Sequence, residues 1–454
     1  MNSYELKPTY ENLIETYEKD SIGRNRDIKS FSVILNSLSD FCSIALDGEW
    51  GSGKTFFVKQ TKLFIDAHNN HIRFVNEGDK SIFIDTKDSE EYQPQVTVYY
   101  DAWENDNDSD PILSLVHSII NNVDTDFTFK ETNCLDKAAS ILELFTGRNC
   151  QDVIQTFRGE NPLEEVRKTK DIEGSVKDFL DSILAERGNR LIIFIDELDR
   201  CKPSYAVRLL ERIKHYFTNY RITFVFSINV QELQHTIKKY YGNDFDACRY
   251  LDRFFDLRIS LPPADKEKFY NSINFRNEYT YDRTCRAVIE NYDFSLREIA
   301  KYVKISQIAA YEPTHDSKKF DFIFSDGKGR LFCLMYIVPI MLGLRIYNVN
   351  EYENFIKGNN CTPFIEVISR LKYHHFNDLL SQNETFDETV TDKTYIKLDD
   401  KLKEVYETIF KTIKDESSFC TSIGQFSFER GTKELLLRIV SLLSNYATIE
   451  KGEE

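Results

Sequence analysis

A chain of 454 residues is long enough for about two or three domains with sizeable cores. Its 41% hydrophobic and 13% aromatic content excludes an intrinsically disordered protein. A formal net charge of -16 disfavours broad attraction to nucleic acid or an anionic membrane. Nine scattered cysteines, never spaced C-x-x-C, argue against a zinc cage or a disulfide framework and for a reducing cytosol. The polar, acidic residues 1–20 carry no apolar signal region.

Residues 8–40 have a helical pattern, with a helix expected to start near Asn25, and lead into the short apolar strand Ser43–Asp47. The chain then breaks into Gly48-Glu49-Trp50-Gly51-Ser52-Gly53-Lys54-Thr55, a complete G-x-x-x-x-G-K-[ST] signature between a strand and a helix. Glycines in this setting let backbone N–H groups turn inward around a phosphate chain, and the positive end of the following helix faces the same anion. Lys54 would reach the β- and γ-phosphates, and the Thr55 hydroxyl would bind Mg²⁺. Residues 48–56, ending at Phe56, form the expected nucleotide-binding segment.

The helix from Thr55 to Ala67 stops at Asn69-Asn70, and two β-like runs follow, Ser81–Ile84 and Val96–Tyr100. The second ends in Asp101-Ala102-Trp103-Glu104, and a helix is expected from Pro111, a residue well suited to a first helical position. Residues 124–187 read as an inserted helical block, clearest at Leu135–Phe145 and Pro162–Arg187.

Leu191–Ile195 is a continuous apolar run, as expected of a strand buried on both faces of a parallel sheet, and it delivers Asp196-Glu197 at its C-terminal end. Asp196 fits an organiser of Mg²⁺, directly or through water, and Glu197 the base for an attacking water. In Leu198-Asp199-Arg200, the acid and the arginine suggest an internal ion pair or a contact to a neighbouring subunit. The strand Ile222–Phe226 should lie between the two phosphate-site strands. At its tip Asn229, or failing it Ser227, could bond the γ-phosphate or the water, unless Asn229 caps the next helix. A last short strand, Asp256–Leu261, is closed by Pro262-Pro263. At least five strands alternating with helices predict an α/β three-layer sandwich around a parallel sheet.

Beyond Pro263 the pattern is helical. Ser295 and Glu298 are spaced as a capping box, residues 381–394 read as an acidic linker or loop, and Leu398–Ile413 and Thr432–Tyr446 are amphipathic. The expected domains are 1–263, 264–380 and 381–454. Leu331–Leu344 is almost wholly apolar but shorter than the about twenty residues a membrane span needs, so a buried helix is expected there.

The phosphate-loop segment Leu46–Thr55, Asp101-Ala102-Trp103 and Ile195–Cys201 together resemble the KAP family of P-loop NTPases, over roughly residues 18–305. Tyr250-Leu251-Asp252-Arg253 and Leu296–Tyr302 are weaker echoes. The resemblance implies an additional-strand, catalytic-Glu core that hydrolyses ATP with Mg²⁺ as a conformational switch, in some members in bacterial defence against phage. It implies nucleotide as ligand, and a homo-oligomer or partner protein. Many members carry transmembrane helices between the phosphate motifs, whereas 124–187 has no apolar run of that length, so a soluble, cytoplasmic member is expected. Glu197 stands where Asp is expected in many relatives. In related ATPases a short acidic–apolar–Arg element, here Asp20–Arg24, packs by the adenine ring. Arg253 and Arg297 lie where such enzymes place charge-sensing groups, Arg297 acting within the chain and Arg253 across an interface. Other readings are a nucleotide-gated scaffold with little turnover and a small-molecule P-loop kinase. Adenine is preferred over guanine because no Asn-Lys-x-Asp motif occurs.

Overall fold

The structure is a computed structural model that describes residues 7–72, 74–84, 92–108, 110–126, 178–181, 183–184, 188–217, 221–311, 327–371, 373–411, 420–429 and 431–441. The chain divides into two compact units, Leu6–Phe269 and one built from Tyr270–Glu454.

The first unit is built on five strands, β1 Cys42–Asp47, β2 Gln95–Asp101, β3 Arg190–Asp196, β4 Ile222–Ile228 and β5 Leu257–Ser260. All are parallel, in the order β2-β3-β4-β1-β5. β4 lies between the strand before the glycine loop and the strand ending in Asp196, the additional-strand arrangement that was expected. Within β3, Leu191, Ile193 and Ile195 face one apolar core while Ile192 and Phe194 face the other. The unbroken apolar run is thus a period-2 strand with both faces covered. One layer contains α1 Tyr10–Glu18, α2 Asn25–Ser37 and α3 Lys54–Ala67; the opposite layer contains α5 Pro111–Asp126, α6 Pro203–Tyr216 and α7 Val230–Tyr241. Register brings Asp101, Asp196 and Ser227 side by side on neighbouring strands at the C-terminal edge.

The run Ser81–Ile84 is not a strand. Lys80–Phe83 forms a single helical turn, α4, because Phe83 folds onto Tyr17, ring centres 4.4 Å apart, and a short apolar run is satisfied by one buried aromatic. Leu135–Phe145 and most of 162–187 lie outside the described residues. Phe179, Leu180, Ile183 and Leu184 pack into the core beside α5 and α6.

In the second unit the capping box forms as expected, with the Ser295 N–H donating to Glu298 Oε2 (2.9 Å) ahead of the helix Leu296–Ser306. The apolar segment is longer than Leu331–Leu344. Helical turns run from Lys328 to Tyr347, 20 residues, long and apolar enough by length and composition to cross a membrane, yet 72% of its apolar stretch is buried. Pro339 supplies no N–H and crowds the preceding turn, and the chain widens into a π turn over Cys333–Ile337 just before it. The acidic stretch 381–394 is held to the rest of the second unit. Glu384–Thr385 pairs with Thr394–Tyr395, and Lys401, on the helix Leu398–Phe410, pairs with Glu384 at 3.0 Å. A hairpin, Cys420–Ile423 with Phe426–Glu429, precedes the helix Thr432–Ser441.

Candidate functional site

β1 ends at Asp47 and the chain turns at once through residues 48–53 into α3. Gly51 (φ 80°) and Gly53 (φ 92°) occupy the left-handed region, where a side chain would cost about 1–2 kcal/mol. The loop is stitched to β4 on one side, where the Gly48 N–H donates to the Ile228 carbonyl (3.1 Å) and the Val230 N–H to Asp47 Oδ1 (2.9 Å). On the other side Arg24 grips it, Nη1 donating to the Ser52 carbonyl (2.8 Å). Arg24 is buried, its Nε has no partner, and burial pushes its pKa down to about 10. Arg24, the last residue of the element expected beside the adenine, thus also supports the loop.

Lys54 is 8% exposed, and its Nζ donates to the carbonyls of Gly48 (2.5 Å) and Glu49 (3.1 Å). Burial lowers its pKa, against the pull of Asp199, Asp196 and Glu197. Phe56, in the first turn of α3, is buried.

Thr55 and Asp196, 141 residues apart in sequence, meet directly: Thr55 Oγ1 donates to Asp196 Oδ2 at 2.7 Å. Tyr99 from β2 donates its hydroxyl to the same oxygen (3.0 Å), and the Glu197 N–H donates to Oδ1 (3.0 Å). Three donors therefore fix the carboxylate. The Lys59 ammonium lies 4.3 Å from the centre of the Tyr99 ring, within cation–π range. Ser227, in register with Asp196, has a buried hydroxyl with no partner.

Glu197 takes φ 60°, ψ 22°, a left-handed conformation unusual for a residue with a side chain and of the kind that gathers at functional sites. Its Oε2 lies 2.6 Å from Arg200 Nε. Burial and then Asp196 push its carboxyl up to about 7, with Arg200 pulling the other way.

Asp199 and Arg200 do not pair with each other. The buried Asp199 carboxylate accepts from the Trp50 indole N–H (2.6 Å) and the Asn229 backbone N–H (3.2 Å), tying the glycine loop to the tip of β4. Arg200 turns to Glu197, with its guanidinium 5.5 Å from the Trp50 ring centre and 5.8 Å from that of Trp103. Asn229 Oδ1 caps α7, accepting from Gln231 N (3.0 Å) and Glu232 N (3.2 Å). The helix thus takes the carbonyl end of the amide, leaving only its NH₂ end to face a ligand. Arg253 is exposed, with its carbonyl accepting from Lys214 Nζ, and Arg297 is exposed in the first turn of its helix in the second unit.

The residues present fit a nucleoside triphosphate with Mg²⁺. A left-handed glycine loop opens a helix, a buried ammonium is held by neutral carbonyls, and a Thr–Asp pair is already assembled. The bond of Tyr99 to Asp196 and that of Arg24 to the loop are the contributions that sequence pattern did not assign. Tyr99 looked like any aromatic of an alternating strand, and Arg24 like part of a base-binding element.

The model of the KAP family P-loop domain matches residues 24–304. An uncharacterized protein of Methanocaldococcus jannaschii is 44% identical over 52 residues, 12% of this chain. The chain spans about a quarter of that relative's length, 26%. The solved structure of the Aeropyrum pernix ORC2 protein in ADPNP–ADP complexes aligns with a TM-score of 0.34 and 12% identity, over 92% of this chain and 94% of that one. A likeness this loose carries no argument.

Proposed function

The chain belongs to the KAP family of P-loop NTPases, and from that premise we propose that it binds ATP with Mg²⁺ and hydrolyses it as a conformational switch. The observation that carries this reading is the 2.7 Å contact between Thr55 and Asp196, with Glu197 next in the chain on a left-handed turn. Thr55 and Asp196 would hold Mg²⁺, which neutralises charge on the phosphates. Lys54 would exchange its loop carbonyls for the β- and γ-phosphate oxygens, and Glu197 would orient a water and accept its proton as that water attacks the γ-phosphorus. The Asn229 amide would contact the γ-phosphate. Arg297 would add positive charge within the chain and Arg253 across an interface. Mixing Arg253→Ala with Lys54→Ala subunits tests the last role, since activity in the mixture supports action in trans.

Steady-state phosphate release is the direct test. Glu197→Gln should keep ATP binding and slow turnover by about a hundred- to ten-thousand-fold. Turnover within a few-fold of the unsubstituted chain would place the base elsewhere. Use of the switch in defence against phage rests on the family, and is tested by plaque counts with and without Lys54→Ala.

A second reading, a nucleotide-gated scaffold with little turnover, is favoured by one observation. Trp50 and Trp103 are 44% and 53% exposed beside the site, an aromatic surface of the kind protein partners cover. Saturable ATP binding with no phosphate release would favour it.

A further inference from the structure

We propose that Arg200 is a positioning residue: it fixes the Glu197 carboxylate through a chain of contacts, Asp199–Trp50–Arg200–Glu197, that ties the base to the phosphate loop. The proposal rests on the reading of Glu197 as the base.

The chain begins at Asp199, which is buried and sets the indole plane of Trp50 by accepting its N–H at 2.6 Å. That ring and Trp103 are the only two tryptophans of the chain, and the Arg200 guanidinium lies within cation–π reach of both, 5.5 and 5.8 Å from their centres. A glutamate side chain has three rotatable bonds and several staggered rotamers open to it. Pairing at 2.6 Å with a rigid, planar guanidinium that two aromatic rings already hold removes that freedom. Arg200 reaches Glu197 because the 3₁₀ turn Leu198–Arg200 brings residues three apart onto one side. Trp50 belongs to the loop that wraps the phosphates, so the loop's position is passed to the base through contacts between side chains. A salt bridge serving only stability would need no such support from the glycine loop.

The test measures phosphate release and ATP binding for Arg200→Ala, Arg200→Lys, Glu197→Gln and the double variant Glu197→Gln/Arg200→Ala. Arg200→Ala should lower kcat by about 10- to 100-fold, leaving KM and ATP affinity within about threefold. Lysine should restore part of the rate. The double variant should be no slower than Glu197→Gln alone, since Arg200 acts through that carboxylate. A further loss in the double variant would mean that Arg200 acts on the substrate itself, and a loss appearing in affinity would mean that it merely supports the loop; either overturns the proposal. Normal turnover in Glu197→Gln would bring down the base reading and this one with it. A slow Glu197→Gln beside a fast Arg200→Ala would bring down this one alone. In a Trp103→Phe background, emission comes from Trp50, and Arg200→Ala should shift it in protein that still binds ATP. An unchanged spectrum would show that the guanidinium does not lie on the indole, against the proposal.

Discussion

In the α/β unit, Arg24, Lys54, Asp196 and Asp199 are buried charged groups at the C-terminal edge of the sheet, and their contacts are to backbone, indole and hydroxyl groups. In the unit from Tyr270 onward, several buried tyrosine hydroxyls are tied to backbone carbonyls of the same unit. Tyr281 donates to the Ser306 carbonyl (2.8 Å), Tyr302 to that of Pro339 (3.0 Å) and Tyr406 to that of Phe355 (2.6 Å). Its buried Lys401 is neutralised by Glu384 and Glu404. Burying a charge without a full partner costs stability, so a fold keeps such groups where a ligand completes them. A hydroxyl on a carbonyl is complete already and serves packing. The contrast sets a cluster of buried charges in the first unit against tyrosine hydroxyls that serve packing in the second.

Substitutions can break that contrast. The largest expected effect is that of Lys54→Ala, which removes the cation we propose for the β- and γ-phosphates. ATP affinity by isothermal titration should fall by about two orders of magnitude or more, with the melting temperature of the nucleotide-free protein little changed. Unaltered affinity would remove the loop from the nucleotide site. The counterpart in the second unit is Gly343→Ala. A Cβ there would lie 2.3 Å from Val288 Cγ1, so the core must shift. We expect about 1–3 kcal/mol of destabilisation in denaturant unfolding, with ATP affinity in the folded protein unchanged; a fall in affinity would show that the second unit takes part in binding. The smallest effect is expected for Tyr99→Phe, which removes one of three donors to Asp196 and leaves the ring under Lys59. The Mg²⁺ concentration needed for tight ATP binding should rise by up to about tenfold. Metal-free binding should stay the same, and no change in the Mg²⁺ requirement would make the Tyr99 contact purely structural.

Much of the site was legible because its motifs are local. Strand, glycine loop and helix follow one another within residues 42–67, so the geometry of Gly51, Gly53, Lys54 and Thr55 is dictated by neighbours. The apolar run before Asp196 announced a strand with two covered faces for the same reason. Short apolar segments were less legible. Ser81–Ile84 has too few residues for a period to show, and the packing of Phe83 on Tyr17 decided its shape. The segment around Pro339 looked shorter than it is, because Arg330 and Arg345 bound its apolar run while the helical turns continue past both.

Sequence by itself determined the glycine loop between β1 and α3, the acidic pair at the end of β3, the alternation of strands and helices, and the capping box at Ser295. Each depends on residues within a few positions of one another, and backbone sterics and hydrogen bonding act at that range. Tertiary structure alone decided that Tyr99 reaches Asp196, that Trp50 is bonded to Asp199 149 residues away, that Arg24 holds the loop and that Arg200 faces Glu197 instead of Asp199. These partners meet only because the strand order β2-β3-β4-β1 sets four strand ends side by side. The energy that fixes that order is spread over two apolar cores, and no short motif records it.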